Sequence, residues 1–314
     1  MKRLLDRCLA LLLLLVMWCG WPSPAPALDA TPSDMNVIIN LAGKQRMLTQ
    51  KMGKEMLLVL MGVHAAENRH NLEGTAILFD RTLKGLLQGD AGLGLVKVDH
   101  PDIVAQLHGV AECWVLFQRH VHDVLTGRMA HRALDRMADD NLALLDSMNK
   151  AVEMYVALAR KNQGDPFQVS LFTVINLSGR QRMLTQKMTK EWLLILHGVD
   201  PEGHRARLKE TMALFDRTQD GLLEGNAELG LPGTRDGAIR NQLGKVKTLW
   251  SQYRSILDGA VTGSGGSERG AMEQVVRLNL RLLEEVNMTV KMYESTAGRR
   301  AHSGFWLRGM ASDS

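Results

Sequence analysis

One run of thirteen residues occurs twice in this chain, and it constrains the fold more than any other feature. Asn40-Leu41-Ala42-Gly43-Lys44-Gln45-Arg46-Met47-Leu48-Thr49-Gln50-Lys51-Met52 returns 136 residues later as Asn176-Leu177-Ser178-Gly179-Arg180-Gln181-Arg182-Met183-Leu184-Thr185-Gln186-Lys187-Met188. The register then holds. Phe79-Asp80-Arg81-Thr82 answers to Phe215-Asp216-Arg217-Thr218, Gly89 to Gly225, Leu93-Gly94-Leu95 to Leu229-Gly230-Leu231, and Trp114 to Trp250. After a two-residue insertion, Asn149 and Met154-Tyr155 answer to Asn287 and Met292-Tyr293. A period of this length is a whole structural unit, so the chain reads as two copies of one module joined near residues 162–166.

Hydrophobic spacing inside each copy is helical, and glycines and prolines cut it into four segments. Helices are expected at 34–63, 67–88, 101–126 and 130–161, then at 167–198, 201–224, 235–261 and 268–296. Gly89 and Gly225 mark helix ends, Pro101 and Pro201 mark first turns, and residues 263–266 read as a turn. The expected fold is all-α: two tandem antiparallel four-helix bundles over 28–165 and 166–296, with a polar C-terminal tail at 297–314. With 18 Met and only 5% aromatics, the composition suits aliphatic helix packing and argues against an all-β fold.

Residues 1–27 read as an export signal with a basic start, an apolar run from Leu9 to Trp21 and a small-residue cleavage site at Ala25-Pro26-Ala27. That run is shorter than the roughly 20 residues a spanning helix needs. The expected location is the periplasm, and Cys113 is then the one remaining cysteine, so no intrachain disulfide is expected. Without the signal the formal charge of +4 falls to +2, which is no footprint for nucleic acid.

The first helix is apolar on two sides. Ile38, Leu41, Gln45, Leu48, Met52, Met56 and Val59 share the face that should enter its own bundle. A second face carries Gly43, Met47, Gln50, Leu57 and Met61, and the second copy repeats it with Gly179, Met183, Gln186, Leu193 and His197. Such a helix needs two partners, so the second face should pack on another bundle's first helix, either within the chain or in a homodimer. Gly43 and Gly179 would permit close backbone approach. Arg46 and Arg182 stand at the edge of this seam with no acidic residue one turn away. Two arrangements can satisfy them: an ion pair to a neighbouring helix, as with Asp80 or Asp216, or an anion between the two arginines with Gln50 and Gln186 as flanking donors.

At these residues the chain resembles a known family. The repeated run is similar to the signature of the PilJ-type sensory module, the N-terminal domain of type IV pili chemotaxis transducers. More distantly it resembles the periplasmic segment of nitrate/nitrite sensor kinases. The resemblance implies a four-helix bundle whose ligand sits between two first helices, held by the arginine of an Arg-Met pair; here that arginine is Arg46 and Arg182. The family's later basic position falls on Lys51 and Lys187, and at 100° per residue Lys51 lies about 140° from Arg46, outside the seam.

Other chemistry is absent from the sequence pattern. His120 and His122 are two apart and point to different sides of a helix, while His108 and Glu112 make only half a metal site. No Cys-x-x-Cys-His, Gly-x-Ser-x-Gly or His-Glu-x-x-His occurs, so no cofactor and no catalytic residue is expected. The expected function is an exported ligand-sensing protein, a receptor for a small oxyanion reporting to a membrane signalling partner. The alternative is a structural or protein-interaction module without a ligand.

Overall fold

The computed structural model describes residues 30–263 and 269–310, with side chains described up to Thr296. The export signal and most of the turn at 263–266 lie outside the described residues. The described residues contain eight α-helices: α1 (Pro32–Leu60), α2 (Ala65–Gln88), α3 (Pro101–Leu125), α4 (Leu134–Lys161), α5 (Pro166–His197), α6 (Pro201–Glu224), α7 (Gly237–Thr262) and α8 (Arg269–Met310). They form two four-helix groupings, α1–α4 and α5–α8, joined by close packing of α1 against α5. The last helix runs beyond residue 296, where the sequence reading ended it; no proline stops the chain there.

The helix limits follow from local chemistry. Thr31 opens α1 with a reciprocal capping box to Asp34, Asp165 accepts from the Phe167 amide, and Asp236 accepts from Ala238 and Ile239. After α2 and again after α6 the chain makes the same small loop. Asp90 and Asn226 accept from the amides of Leu93 and Leu229, and a short antiparallel bridge closes each turn, to Leu95 and to Leu231. Gly94 and Gly230 sit there at φ of 67° and 64°, in the left-handed region that a side chain disfavours. The repeat is therefore a repeat of turn chemistry as well as of apolar spacing.

The cores repeat too. Phe79 stacks on Trp114 at 4.7 Å between ring centroids, and Phe215 on Trp250 at 4.6 Å. Each indole N–H donates to the aspartate after the phenylalanine, Asp80 or Asp216. Gln45 and Gln181 donate to the carbonyls of Phe79 and Phe215, tying each first helix to its own α2 or α6. Between the groupings, α1, α4, α5 and α8 make a second, shared core. This is why α1 and α5 are buried on two sides, with Gly43, Met47, Gln50 and Leu57 as fully enclosed as Ile38, Met52 and Met56.

Candidate functional site

The seam between α1 and α5 gathers the residues singled out by the repeat. Arg46 and Arg182 are 3% and 5% exposed. A Cβ built on Gly43 would lie 3.3 Å from Arg46 Nη2 and 3.9 Å from Arg182 Nη2, so both guanidinium groups converge on that glycine. A Cβ on Gly179 would lie 3.1 Å from Arg182 Nη2. Neither position leaves comfortable room for a methyl group.

The arginines are met across the seam by neutral groups. Arg46 Nη2 donates to Asn176 Oδ1 at 2.8 Å and to the Asn176 carbonyl at 3.2 Å; Arg182 Nη2 donates to Asn40 Oδ1 at 2.6 Å. The exchange is isologous, each copy's arginine held by the asparagine that opens the other copy's run. The ion pairs considered from sequence do not form. Asp80 is engaged by Trp114 and Lys84, and Asp216 by Trp250 and Arg254, because both face the α2–α3 and α6–α7 sides of their bundles. Burial, followed by the like charges of Arg180 and Arg182, pulls Arg46 down to about 9, with Glu153 opposing. Burial brings Arg182 down to about 10, with Glu294 opposing. Both remain cationic at neutral pH, and the Nε of Arg46 makes no protein hydrogen bond.

Gln50 and Gln186 are also in the seam, but their amides do not flank the arginines as donors. Gln50 Nε2 donates to Thr49 Oγ1 and Asn141 Oδ1, and Gln186 Nε2 to Thr185 Oγ1 and Asn279 Oδ1. What each leaves uncommitted is a buried carbonyl oxygen. Lys51 and Lys187 lie outside the seam, donating to Thr75 and Thr211 and pairing with Glu55 and Glu191.

Below the arginines lies a second cross-copy layer that the sequence reading did not isolate. Lys190 reaches from α5 to Asn141 on α4 at 2.8 Å, and Lys54 from α1 to Asn279 on α8 at 3.0 Å. Each asparagine also donates to the backbone of its own copy's first helix, at the carbonyl of Thr49 or Thr185. The signal was present: Lys54 and Lys190 keep the 136-residue register, and each asparagine is a lone polar residue on an apolar stripe.

The copies differ around the conserved glutamate of this layer. Glu191 pairs with His204, Lys190 and Arg207, and although burial opposes it, Lys190 and His204 hold its carboxyl well below the usual range. Its counterpart Glu55 has Asn68 and Asn71 at the corresponding places, and its Oε2 is buried without a hydrogen bond. A cleft of about 640 Å³ between α2 and α3 lies elsewhere, and its Arg81–Asp90 and Lys84–Asp80 pairs spend their charges on each other. Among the described residues no group of three His, Cys, Asp or Glu side chains is placed to hold a metal ion, and no helix is long and apolar enough to cross a membrane.

The chain is similar over part of its length to known proteins. The chain is 31% identical over 134 residues to the methyl-accepting chemotaxis protein McpN of Pseudomonas aeruginosa, 42% of this chain and 24% of that one. It is 22% identical over 278 residues to a putative methyl-accepting chemotaxis protein, AlkN, of Alcanivorax borkumensis, 87% of this chain and 38% of that one. The chain thus matches between a quarter and two fifths of the length of these relatives. A solved structure described as the ligand binding domain of the P. aeruginosa nitrate receptor McpN is 31% identical, covering 40% of this chain and 96% of that one, with a TM-score of 0.35. The family described as the type IV pili methyl-accepting chemotaxis transducer N-terminal domain, PilJ, matches residues 32–139 and again 171–274. With two segments that together take in more than half its length, the chain belongs to the PilJ family of non-catalytic sensory domains.

Proposed function

We propose that this chain is an exported, periplasmic receptor for a small oxyanion, with nitrate or nitrite the first candidates, and that it reports occupancy to a membrane signalling partner. The observation that carries this reading is the pair of buried arginines converging on Gly43 with only amide oxygens for partners. An anion between them would replace a hydrogen bond to a neutral acceptor by one to a charged acceptor at each arginine and offset their mutual repulsion. The likeness to McpN, described as a nitrate receptor, supports the choice of ligand. Arg46 and Arg182 would hold the anion, and Gly43 and Gly179 keep its cradle free of side chains. Gln50 and Gln186 shape the floor.

The reciprocal asparagine bonds favour a second reading, in which the seam is purely a structural joint and the protein an interaction module. Thermal melting of the mature chain against nitrate, nitrite, sulfate and chloride separates the two. A receptor melts higher with its own anion by mass action. Arg46→Ala and Arg182→Ala abolish that rise while costing the free protein only about 1 kcal/mol, the price of one unsatisfied asparagine oxygen. No response to any of the four anions would leave the joint as the function.

A further inference from the structure

The two arginines are alike in sequence context but not in their wider surroundings. Asn40, which holds Arg182, is itself held: its Nδ2 donates to Glu294 Oε1 on α8. One amide therefore bridges a guanidinium on α5 and a carboxylate on α8, passing the attraction between opposite charges through α1. Asn176, which holds Arg46, has no such anchor among the described residues, because the register places Val156 of α4 where α8 has Glu294. Val156 is buried and apolar. Arg46 is left with Glu153, an exposed residue acting through solvent.

We infer that Glu294 is the specificity-determining residue of this seam, an internal anion that competes with the ligand for Arg182 and gives α8 its knowledge of whether the site is filled. This rests on the oxyanion reading above. In the free protein the carboxylate, the asparagine and the guanidinium form one line across three helices. A bound anion beside Arg182 brings a second negative charge toward Glu294, and the line is weakened at the α8 end. The groups that act on Glu294 determine how strongly: Arg182 on α5, Asn40 on α1 and Lys291 on α8 itself. Burial raises the carboxyl, while Arg182, Asn40 and Lys291 favour its charged form. Since α4 carries no equivalent, occupancy is reported through α8 alone. That helix is 42 residues long, the longest among the described residues, which suits it to carry a displacement along its axis.

The test is nitrate titration of the full mature chain by calorimetry at low ionic strength, comparing the parent with Glu294→Gln and Glu153→Gln. Removal of the competitor should tighten nitrate binding about five-fold or more in Glu294→Gln. Glu153→Gln sets the smaller change expected from losing any nearby negative charge. Hydrogen exchange of the amides from Val290 to Ser295 supplies the second readout: nitrate should alter it in the parent and leave it unaltered in Glu294→Gln at saturation. A merely structural residue would weaken binding when replaced. Binding by the parent with no tightening in Glu294→Gln overturns this inference and leaves the oxyanion reading standing; no nitrate binding by any of the three proteins removes both.

Discussion

Arg46 and Arg182 show how little separates a joint from a site. Each is a buried cation whose partner is a carboxamide oxygen, a contact strong enough to fix the side chain and weak enough to be exchanged. Gly179→Ala probes that balance from the backbone side. Alanine in the helix interior gains up to about 1 kcal/mol in propensity, set against the displacement its methyl group forces on the hydrogen-bonded Arg182 at 3.1 Å, so the free protein should stay within about 1 kcal/mol of the parent. The same methyl group should weaken the nitrate-dependent rise in melting temperature. An undiminished response would place the anion elsewhere. Asn141 is the opposite kind of residue, with no slack: it accepts from Gln50 and Lys190 and donates to the Thr49 carbonyl. Asn141→Ala strips the Lys190 ammonium and the Gln50 amide of one acceptor each and the Thr49 carbonyl of a donor, and should cost about 3 kcal/mol in urea unfolding, with Asn279→Ala close to it.

Among the elements, α1 and α5 are the ones that must satisfy two cores at once, and the lysines are where this strains the electrostatics. Burial pushes Lys54 and Lys190 from 10.5 down to about 8. The folded chain therefore sheds these protons near pH 8, the unfolded chain only near 10.5. Between the two the unfolded state holds more protons, so stability should rise with pH, by up to about 3 kcal/mol for each lysine. Above about pH 10 two effects oppose each other: the lowered Arg46 and Arg182 extend the rise, while burial pushes Tyr155, Tyr253 and Tyr293 upward and the unfolded chain ionises its phenols first. Urea midpoints should rise from pH 7 to 10, and Lys54→Met with Lys190→Met should flatten the rise and stabilise the protein at pH 7. The double apolar face of α1 was legible from Gly43, Met47 and Leu57, because burial leaves a periodic trace. The partners of Arg46 were not. Asn176 is 130 positions away, and nothing in an isolated helix says which polar group of a distant one will come opposite. Lys54 was missed for a related reason: a charged residue on a wheel reads as solvated until the second core that encloses it is known.

At the scale of the whole molecule, one chain supplies both halves of the seam. Calorimetry should find one nitrate per chain, with an affinity independent of protein concentration over a hundred-fold dilution; a receptor assembled from separate subunits would lose affinity as it dissociates. The tandem arrangement also removes a restriction that symmetry imposes. In a homodimer every substitution appears twice, and a ligand on the axis meets the same groups whichever way it is turned, so it binds in two equivalent poses. Here Glu294 stands against Val156, and His204 against Asn68. An unsymmetrical anion would find one orientation better than the other. For such a ligand the fusion would convert a twofold degenerate encounter into one with a direction, and a displacement of α8 would then depend on which end of the ligand points toward it.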